Sequence, residues 1–353
     1  MDMVAEKLHK IYENAQADAL FIECDFLRRY LTGFYSTDGY VLLTKDKCAF
    51  VADSRSFEAA EKALKNSSIE VIEGSRREAY SLAEGYHTLG VPYPFVNVSA
   101  YNSLKAAGHE LVDCMPALQG AMAIKSEQEL GAIQKACDVA EDALLALLPE
   151  LKEGMTESET AALLEYNMRR LGATGPSFET IVAFGAHGSV PHYETGHTPL
   201  RFGDAVLIDF GCKVEGYCSD CTRTFLYGDN KKQGEFKKIY AEVLAAHELV
   251  KEKVVAGMTG READAIARDY LARKGLDKYF THSLGHGIGL QIHEYPALAP
   301  RSEGTLENGM VFSDEPGVYI AGKLGIRIED SVYLKDGKVV SFMKKTDRNL
   351  VIL

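Results

Sequence analysis

The segment Gly154-Met155-Thr156-Glu157-Ser158-Glu159 recurs as Gly257-Met258-Thr259-Gly260-Arg261-Glu262, and this echo constrains the fold more than any other feature of the chain. In each copy a threonine is followed three residues later by glutamate. This is the capping-box pattern, in which the hydroxyl accepts from the third helical amide and the carboxylate reaches back to the cap amide. Each copy follows a long helical pattern and opens a helix expected to close at a glycine, Gly172 or Gly275, at the same offset. Two unrelated capping boxes would be the plain alternative. Agreement in the preceding helix, the Gly-Met-Thr and the closing glycine favours duplication. A β region follows each helix pair, so this part of the chain is expected to form two related α+β halves facing each other.

Each β region carries a pair of carboxylates. Asp209 sits in the apolar run Ala205-Val206-Leu207-Ile208-Asp209-Phe210, and Asp220 lies in Cys218-Ser219-Asp220-Cys221-Thr222. A hairpin turning at Val214-Glu215 predicts Asp209 directly opposite Asp220. Glu315 and Glu329 are symmetric about Gly322, so a second hairpin places them opposite each other. Like charges facing across a strand pair are destabilising, and buried carboxylates are costlier still without a compensating cation. Two such pairs point to a carboxylate-rich site for two metal ions. Between them runs Thr281-His282-Ser283-Leu284-Gly285-His286-Gly287-Ile288-Gly289-Leu290-Gln291-Ile292-His293-Glu294. Its glycines argue against a helix and for close backbone approach, so irregular or extended backbone delivers His282, His286 and His293. Oxygen ligands suit hard or borderline divalent ions, and one imidazole widens the choice toward Mn²⁺, Co²⁺ or Zn²⁺. Two ions on one water depress its pKa and clamp a hydrolytic step.

The preceding part of the chain reads differently. Ala19–Ile22 is a short apolar strand, Tyr40–Thr44 and Cys48–Val51 suggest a hairpin around Lys45-Asp46-Lys47, Phe57–Leu64 is helical in pattern, and Ile69–Ile72 is a further strand. This α/β region ends near Gly120. At Ser126-Glu127-Gln128-Glu129 another capping box opens a helix with apolar residues at helical spacing from Leu130 to Leu147. The boundary is placed at about residue 122, giving domains 1–121 and 122–353. A net charge of −12 with no basic patch argues against nucleic acid or an anionic membrane as partner. No apolar stretch is long enough to span a bilayer, and Met1–Lys7 lacks the basic and apolar regions of a signal peptide. Seven scattered cysteines fit reduced thiols in a cytoplasmic protein better than a disulfide framework. Cys218 and Cys221 form a C-x-x-C, but it straddles Asp220 in strand-like sequence rather than opening a helix.

The stretch His282–Glu294 resembles the signature of the pita-bread metallopeptidases, in their Xaa-Pro peptidase branch of prolidase and aminopeptidase P. Leu207–Gly211, Gly216–Thr224, Glu315–Tyr319 and Gly325–Asp330 are similar to further family motifs in family order, and Tyr30–Phe34 resembles the family's N-terminal domain. The resemblance implies a creatinase-like α/β N-terminal domain, a pita-bread catalytic domain with a pseudo-twofold repeat, and a homodimer. It implies Asp209, Asp220, His286, Glu315 and Glu329 as ligands of two divalent ions, Mn²⁺ first among the candidates, with Asp220 and Glu329 bridging. Glu315 would also handle protons. His192, in Val190-Pro191-His192-Tyr193, matches a substrate-binding family histidine, His282 and His293 match two further active-site histidines, and Arg327 matches an arginine beside the last ligand. The implied activity is hydrolysis of the bond before proline in a proline-containing peptide.

Alone, His192 reads as a loop histidine after proline, and Arg327 as a salt bridge to a nearby carboxylate. One departure concerns Asp314, where the family usually has an apolar residue. On a strand it points away from Glu315, toward solvent, a subunit contact or a salt bridge. Methionine aminopeptidase shares the Gly-His-Gly-Ile-Gly and His-Glu-x-Pro patterns but usually lacks a comparable N-terminal domain. Creatinase does not retain the full ligand set, and a non-catalytic binding protein on this scaffold would typically have lost ligands. Dipeptidase and aminopeptidase activity remain alternatives from sequence.

Overall fold

A computed structural model describes residues 3–229 and 233–353; Met1 and Asp2 of the N-terminal segment lie outside the described residues. The chain divides into two compact units, Met1–Met122 and Ala123–Leu353.

In the first unit, strands β1 (Ala19–Ile22), β2 (Tyr40–Thr44), β3 (Cys48–Ala52), β4 (Ile69–Glu73), β5 (Thr88–Val91) and β6 (Glu110–Asp113) form a mixed sheet in the order β4-β3-β2-β1-β5-β6. Helices α1 (Met3–Asn14), α2 (Asp25–Thr32), α3 (Phe57–Leu64), α4 (Arg76–Ala83), α5 (Val98–Ala106) and α6 (Met115–Ala123) alternate with the strands. The central strand β1 is buried along its whole length, as its uninterrupted apolar sequence requires.

The second unit repeats its own architecture. Helices α7 (Glu127–Leu147) and α8 (Glu157–Arg170) open one half, and α9 (Gly234–Lys253) and α10 (Gly260–Arg273) open the other. Both Gly-Met-Thr copies make full capping boxes, Thr156 with Glu159 and Thr259 with Glu262. The likeness extends to the segments that return over them. Gly154 N donates to Leu200 O and Leu200 N to Met155 O; in the other half Gly257 N donates to Leu306 O and Leu306 N to Met258 O. Each half has its own apolar core, one centred on Ile133, Leu144, Leu164 and Val206, the other on Val243, Ala267, Phe312 and Ile326. Identical caps, identical return bonds and separate cores establish the internal duplication.

The first half carries β7 (Gly175–Pro176), β8 (Ile181–Phe184), β9 (Ala205–Phe210), β10 (Cys212–Val214), β11 (Tyr217–Cys218) and β12 (Cys221–Leu226). The second carries β13 (Gly285–Gly287), β14 (Glu294–Leu298), β15 (Val311–Asp314), β16 (Gly317–Ile320), β17 (Leu324–Arg327), β18 (Asp330–Lys335) and β19 (Lys338–Ser341). A bridge between Thr222 and Glu329 ties the two halves together. Among the described residues no helix is long and apolar enough to cross a membrane.

Candidate metal centre

The two expected hairpins have different outcomes. β15 pairs with β18, and β16 with β17, both in the register symmetric about Gly322: Asp314 faces Asp330, and Gly317 faces Arg327. Glu315 and Glu329 occupy the break between these ladders, where the shared register sets them opposite each other. The first hairpin turns one residue later than Val214-Glu215. Glu215 and Gly216 carry positive φ of 51° and 85°, the geometry of a two-residue turn whose second position suits glycine. Asp209 therefore faces Thr222, not Asp220. Asp220 lies in the short gap between β11 and β12, two residues from the place expected of it. A two-residue displacement preserves which face a side chain occupies, so both aspartates still line one cavity of about 1250 Å³, with His286, Glu315 and Glu329.

Three of these groups converge closely: ligand atoms of Asp220, His286 and Glu329 all lie within 4.8 Å of one another. His286 Nε2 stands 3.5 Å from Asp220 Oδ2 and 3.5 Å from Glu315 Oε1. Its Nδ1 faces Gly287 O at 3.2 Å. A carbonyl only accepts, so Nδ1 carries the proton and Nε2 offers its lone pair to the carboxylates, the arrangement of a ligating imidazole. Burial, assisted by His293, lowers the His286 pKa to about 4 and keeps the ring neutral. Ser313 braces the group, accepting from His286 N at 3.0 Å and donating to Glu315 Oε1 at 3.1 Å.

The carboxylates are short of positive charge. Burial raises Asp220 well above the usual range, and Asp209 and Glu315 add to the rise. Glu329 is raised by burial and then by Asp220. Glu315 is pushed up to about 8, chiefly by burial, with Arg327 opposing. Thr222 Oγ1 donates to Glu329 Oε2 at 2.6 Å. Asp209 Oδ2 accepts from Arg327 Nη2 at 2.6 Å, while its Oδ1 is buried without a partner. A buried carboxylate oxygen without a partner, beside three carboxylates whose pKa values burial and mutual repulsion raise, is an arrangement that divalent cations would relieve. The donor set of four carboxylates and one neutral imidazole fits borderline divalent ions.

Around this centre stand the other expected residues. His192, His282, His293 and Arg327 all line the same cavity. Arg327 is buried and forks across the site: Nη1 donates to Tyr319 OH at 2.7 Å and Nε to Thr222 Oγ1 at 2.9 Å. Its salt-bridge reading and its active-site reading are one arrangement. His282 Nδ1 lies 2.8 Å from Ser283 O, and its Nε2 lies 2.8 Å from Tyr319 OH. The carbonyl fixes the proton on Nδ1, so Nε2 accepts from the tyrosine and both nitrogens are engaged. Burial and Arg327 lower His282 to about 3. His192 and His293 are the solvent-exposed histidines of the cavity. The His293 ring packs edge-on against His286 at 4.2 Å between centroids. Thr222, Ser313 and Tyr319 are contributors that sequence reasoning passed over. Tyr319 and Thr222 sit inside quoted motifs and Ser313 does not, but the role of each comes only from its three-dimensional contacts.

The sequence matches the model of metallopeptidase family M24 over residues 131–336 and that of the creatinase/prolidase N-terminal domain over residues 5–121. The chain belongs to metallopeptidase family M24. It is 36% identical to a Xaa-Pro dipeptidase of Pyrococcus horikoshii, across 99% of this chain and 100% of that protein. Among solved structures, the Xaa-Pro dipeptidase from Bacillus anthracis superposes with a TM-score of 0.93 at 35% identity, covering 99% of both chains. The X-Pro aminopeptidase from Thermotoga maritima superposes with a TM-score of 0.89 at 32% identity, covering 97% of this chain and 99% of that one. The catalytic domain accordingly has the pita-bread fold of the prolidases.

The two other open points of the sequence resolve within this frame. Asp314 is fully buried and makes a salt bridge to His247, with Nδ1 to Oδ2 at 3.1 Å. Cys218 and Cys221 are free, buried thiols on separate strands, raised by burial, Cys218 to about 12. That disposition suits packing, since a reactive thiol needs exposure and a depressed pKa.

Proposed function

We propose that this M24 enzyme hydrolyses the peptide bond preceding proline, in Xaa-Pro dipeptides or at an Xaa-Pro N-terminus. Two divalent ions would be held by Asp209, Asp220, His286, Glu315 and Glu329. The observation that carries this reading is the convergence of Asp220, His286 and Glu329 in a cavity where Arg327 pairs with Asp209 alone among the four carboxylates. The Xaa-Pro dipeptidase name of a full-length relative supports the choice of bond. Residues 1–121 would be the accessory domain and 122–353 the catalytic one. The acidic net charge and seven free cysteines support a cytoplasmic setting, Mn²⁺ is the leading metal, and a homodimer is the proposed assembly.

When bound, such ions would acidify a water and polarise the scissile carbonyl. The chain's own residues then divide the remaining work. Glu315, deprotonated once the ions are held, would offer a carboxylate to take a proton from the attacking water and pass it on. The nitrogen leaving from proline must be protonated, because it is a poor leaving group otherwise. His192 and His293 can reach solvent and substrate, whereas His282 has both nitrogens engaged. The first two are therefore assigned to proton delivery and to stabilising negative charge at the scissile carbonyl oxygen. His282 serves with Tyr319 to hold Arg327, and Arg327 orients Asp209.

The test uses metal-stripped protein reconstituted with Mn²⁺ and assayed on Xaa-Pro, Xaa-Pro-Yaa and Met-Ala-Ser peptides. Cleavage before proline is expected, and the ratio of the first two rates separates dipeptidase from aminopeptidase. Cleavage of Met-Ala-Ser without cleavage of either proline peptide would overturn the assignment.

A further inference from the structure

Where β15 ends and β18 begins, two like-charge pairs stand in succession. Glu315 and Glu329 face the cavity. Asp314 and Asp330, one residue along each strand, face each other on the opposite side. Both aspartates are fully buried, where opposed carboxylates are destabilising unless cations intervene. Asp330 is amply supplied: Arg223 Nη2 at 2.9 Å, Arg348 Nε at 2.7 Å and Ser341 Oγ at 2.8 Å. Among the described residues, the one cation within ion-pair distance of Asp314 is His247, from α9, itself fully buried. The ring spans both carboxylates, with Nδ1 3.1 Å from Asp314 Oδ2 and Nε2 3.7 Å from Asp330 Oδ2. Neither ring nitrogen and neither Asp314 oxygen has an aligned hydrogen bond. What holds the group together is therefore charge.

We infer that His247 and Asp314 are positioning residues for the metal centre: the imidazolium clamps β15 to β18 from behind and thereby sets the separation of Glu315 and Glu329. The inference rests on the ligand assignment proposed above. The front is fixed differently, by Glu315 N to Leu284 O and Glu329 N to Thr222 O, and Asp330 is held from behind by Arg223 and Arg348, so the rear of β15 is tied by its side chains only through His247. Burial alone would lower the His247 pKa, but Asp314 and Asp330 reverse this and raise it to about 9, which agrees with a cationic ring. Deleting His247 strands the buried Asp314 carboxylate, and deleting Asp314 leaves the imidazolium only its longer contact to Asp330, so either change forces the strand pair to shift. Deleting both leaves an apolar contact in place of the pair.

The experiment is isothermal titration of metal-stripped, full-length protein with Mn²⁺, together with kcat and KM on an Xaa-Pro substrate. The variants are His247→Leu, Asp314→Val and the double variant. Each single variant is expected to weaken Mn²⁺ binding by roughly 10–100-fold, the usual scale for outer contacts of a metal site, and to lower kcat while KM changes little. The double variant should recover most of that loss, because no uncompensated charge remains. If the singles lower the melting temperature yet bind Mn²⁺ with native affinity, the residues are merely structural and the inference fails. It fails equally if the double variant is no better than the worse single. His247→Gln and Asp314→Asn, which keep volume, apply the same criteria should the apolar singles not fold. Asp220→Ala run alongside separates the two levels: undiminished Mn²⁺ stoichiometry there would refute the ligand assignment itself, whereas loss there with native binding in the His247 variants refutes only the clamp.

Discussion

Replacing Arg327 by methionine, which keeps most of the length and removes the charge, should damage stability and turnover together. Arg327 is 3% exposed, and its guanidinium contacts four groups: Asp209 Oδ2 at 2.6 Å, Tyr319 OH at 2.7 Å, Thr222 Oγ1 at 2.9 Å and Pro191 O at 3.4 Å. Stranding one partner of a buried ion pair costs about 3–5 kcal/mol. The Asp209 side chain keeps 13% of its surface exposed, so water can recover a part, and the lower end, about 3 kcal/mol, is the expectation. At roughly 2–4 °C per kcal/mol for a unit the size of Ala123–Leu353, the melting temperature should fall by about 6–12 °C.

Turnover should fall further than stability implies. Arg327 holds Tyr319, and Tyr319 holds His282; Arg327 also reaches the carbonyl of Pro191, next to His192. Small misplacements of positioned groups cost on the order of 100-fold in rate. Calorimetry of the metal-stripped protein and steady-state kinetics with Mn²⁺ on an Xaa-Pro peptide give the two readings. Arg327→Lys should be intermediate, since it keeps a charge for Asp209 but loses the fork. The double variant Arg327→Met with Asp209→Asn should be more stable than Arg327→Met alone, because no carboxylate is stranded. An Arg327→Met protein melting within about 1 °C of wild type and turning over at about the native rate would refute the hub role.

Asp220→Ala should remove a ligand, so metal analysis should find fewer than two ions per chain and turnover should collapse, while hydrogen exchange in Met1–Met122 stays unchanged; full occupancy with retained turnover would refute the two-ion reading. Metal loading near pH 6 should release protons, because Glu315 at about 8 and the raised Asp220 and Glu329 must deprotonate; titrations in buffers of different ionisation enthalpy would detect this, and release should diminish above pH 8. His247 has its pKa raised from 6.5 to about 9, so its contribution to stability is full below pH 6.5 and lost as pH rises through about 9. The stability gap between wild type and His247→Gln, measured by denaturant unfolding, should therefore narrow over that window, and a constant gap would contradict a cationic ring.

How much the sequence revealed depended on whether a signal was local. The duplication was legible because both capping boxes and both closing glycines are short-range devices, and the structure carries them with matching return bonds. The Glu315 and Glu329 register was legible because Gly322, with φ of 66°, marks the centre of the turn. The first hairpin misled by one residue, because Val214-Glu215 and Glu215-Gly216 both satisfy the alternation, and only the need for two positive-φ positions ending in glycine decides between them. Thr222 and Ser313 were invisible for another reason. A hydroxyl in a strand carries no distinguishing pattern until its partner arrives, and Glu329 lies 107 residues from Thr222. His247 escaped likewise: in a helix it looks like any interior position, and only the β15–β18 pairing brings it between two aspartates.

That pairing also bears on the electrostatic anomaly. The end of β15 and the start of β18, with the residue beyond each, present like-charged pairs on both faces in one shared register. Behind the strands, Arg223, Arg348 and His247 meet Asp314 and Asp330, and Asp330 is held well below the usual carboxylate range, Arg223 leading the effects that overcome its burial. In front, Asp209, Asp220, Glu315 and Glu329 share Arg327 as their ion-paired permanent cation, and three of the four are raised. A chain able to bury Arg223 and His247 behind its strands, with Arg348 half-buried beside them, and only Arg327 before them has not met a general limit on internal charge. The deficit is confined to the cavity-facing side, where a neutral imidazole with a free Nε2 lone pair joins the carboxylates. A fixed side-chain cation there would neutralise the site and block it; exchangeable divalent ions neutralise it and leave room for a water and a peptide.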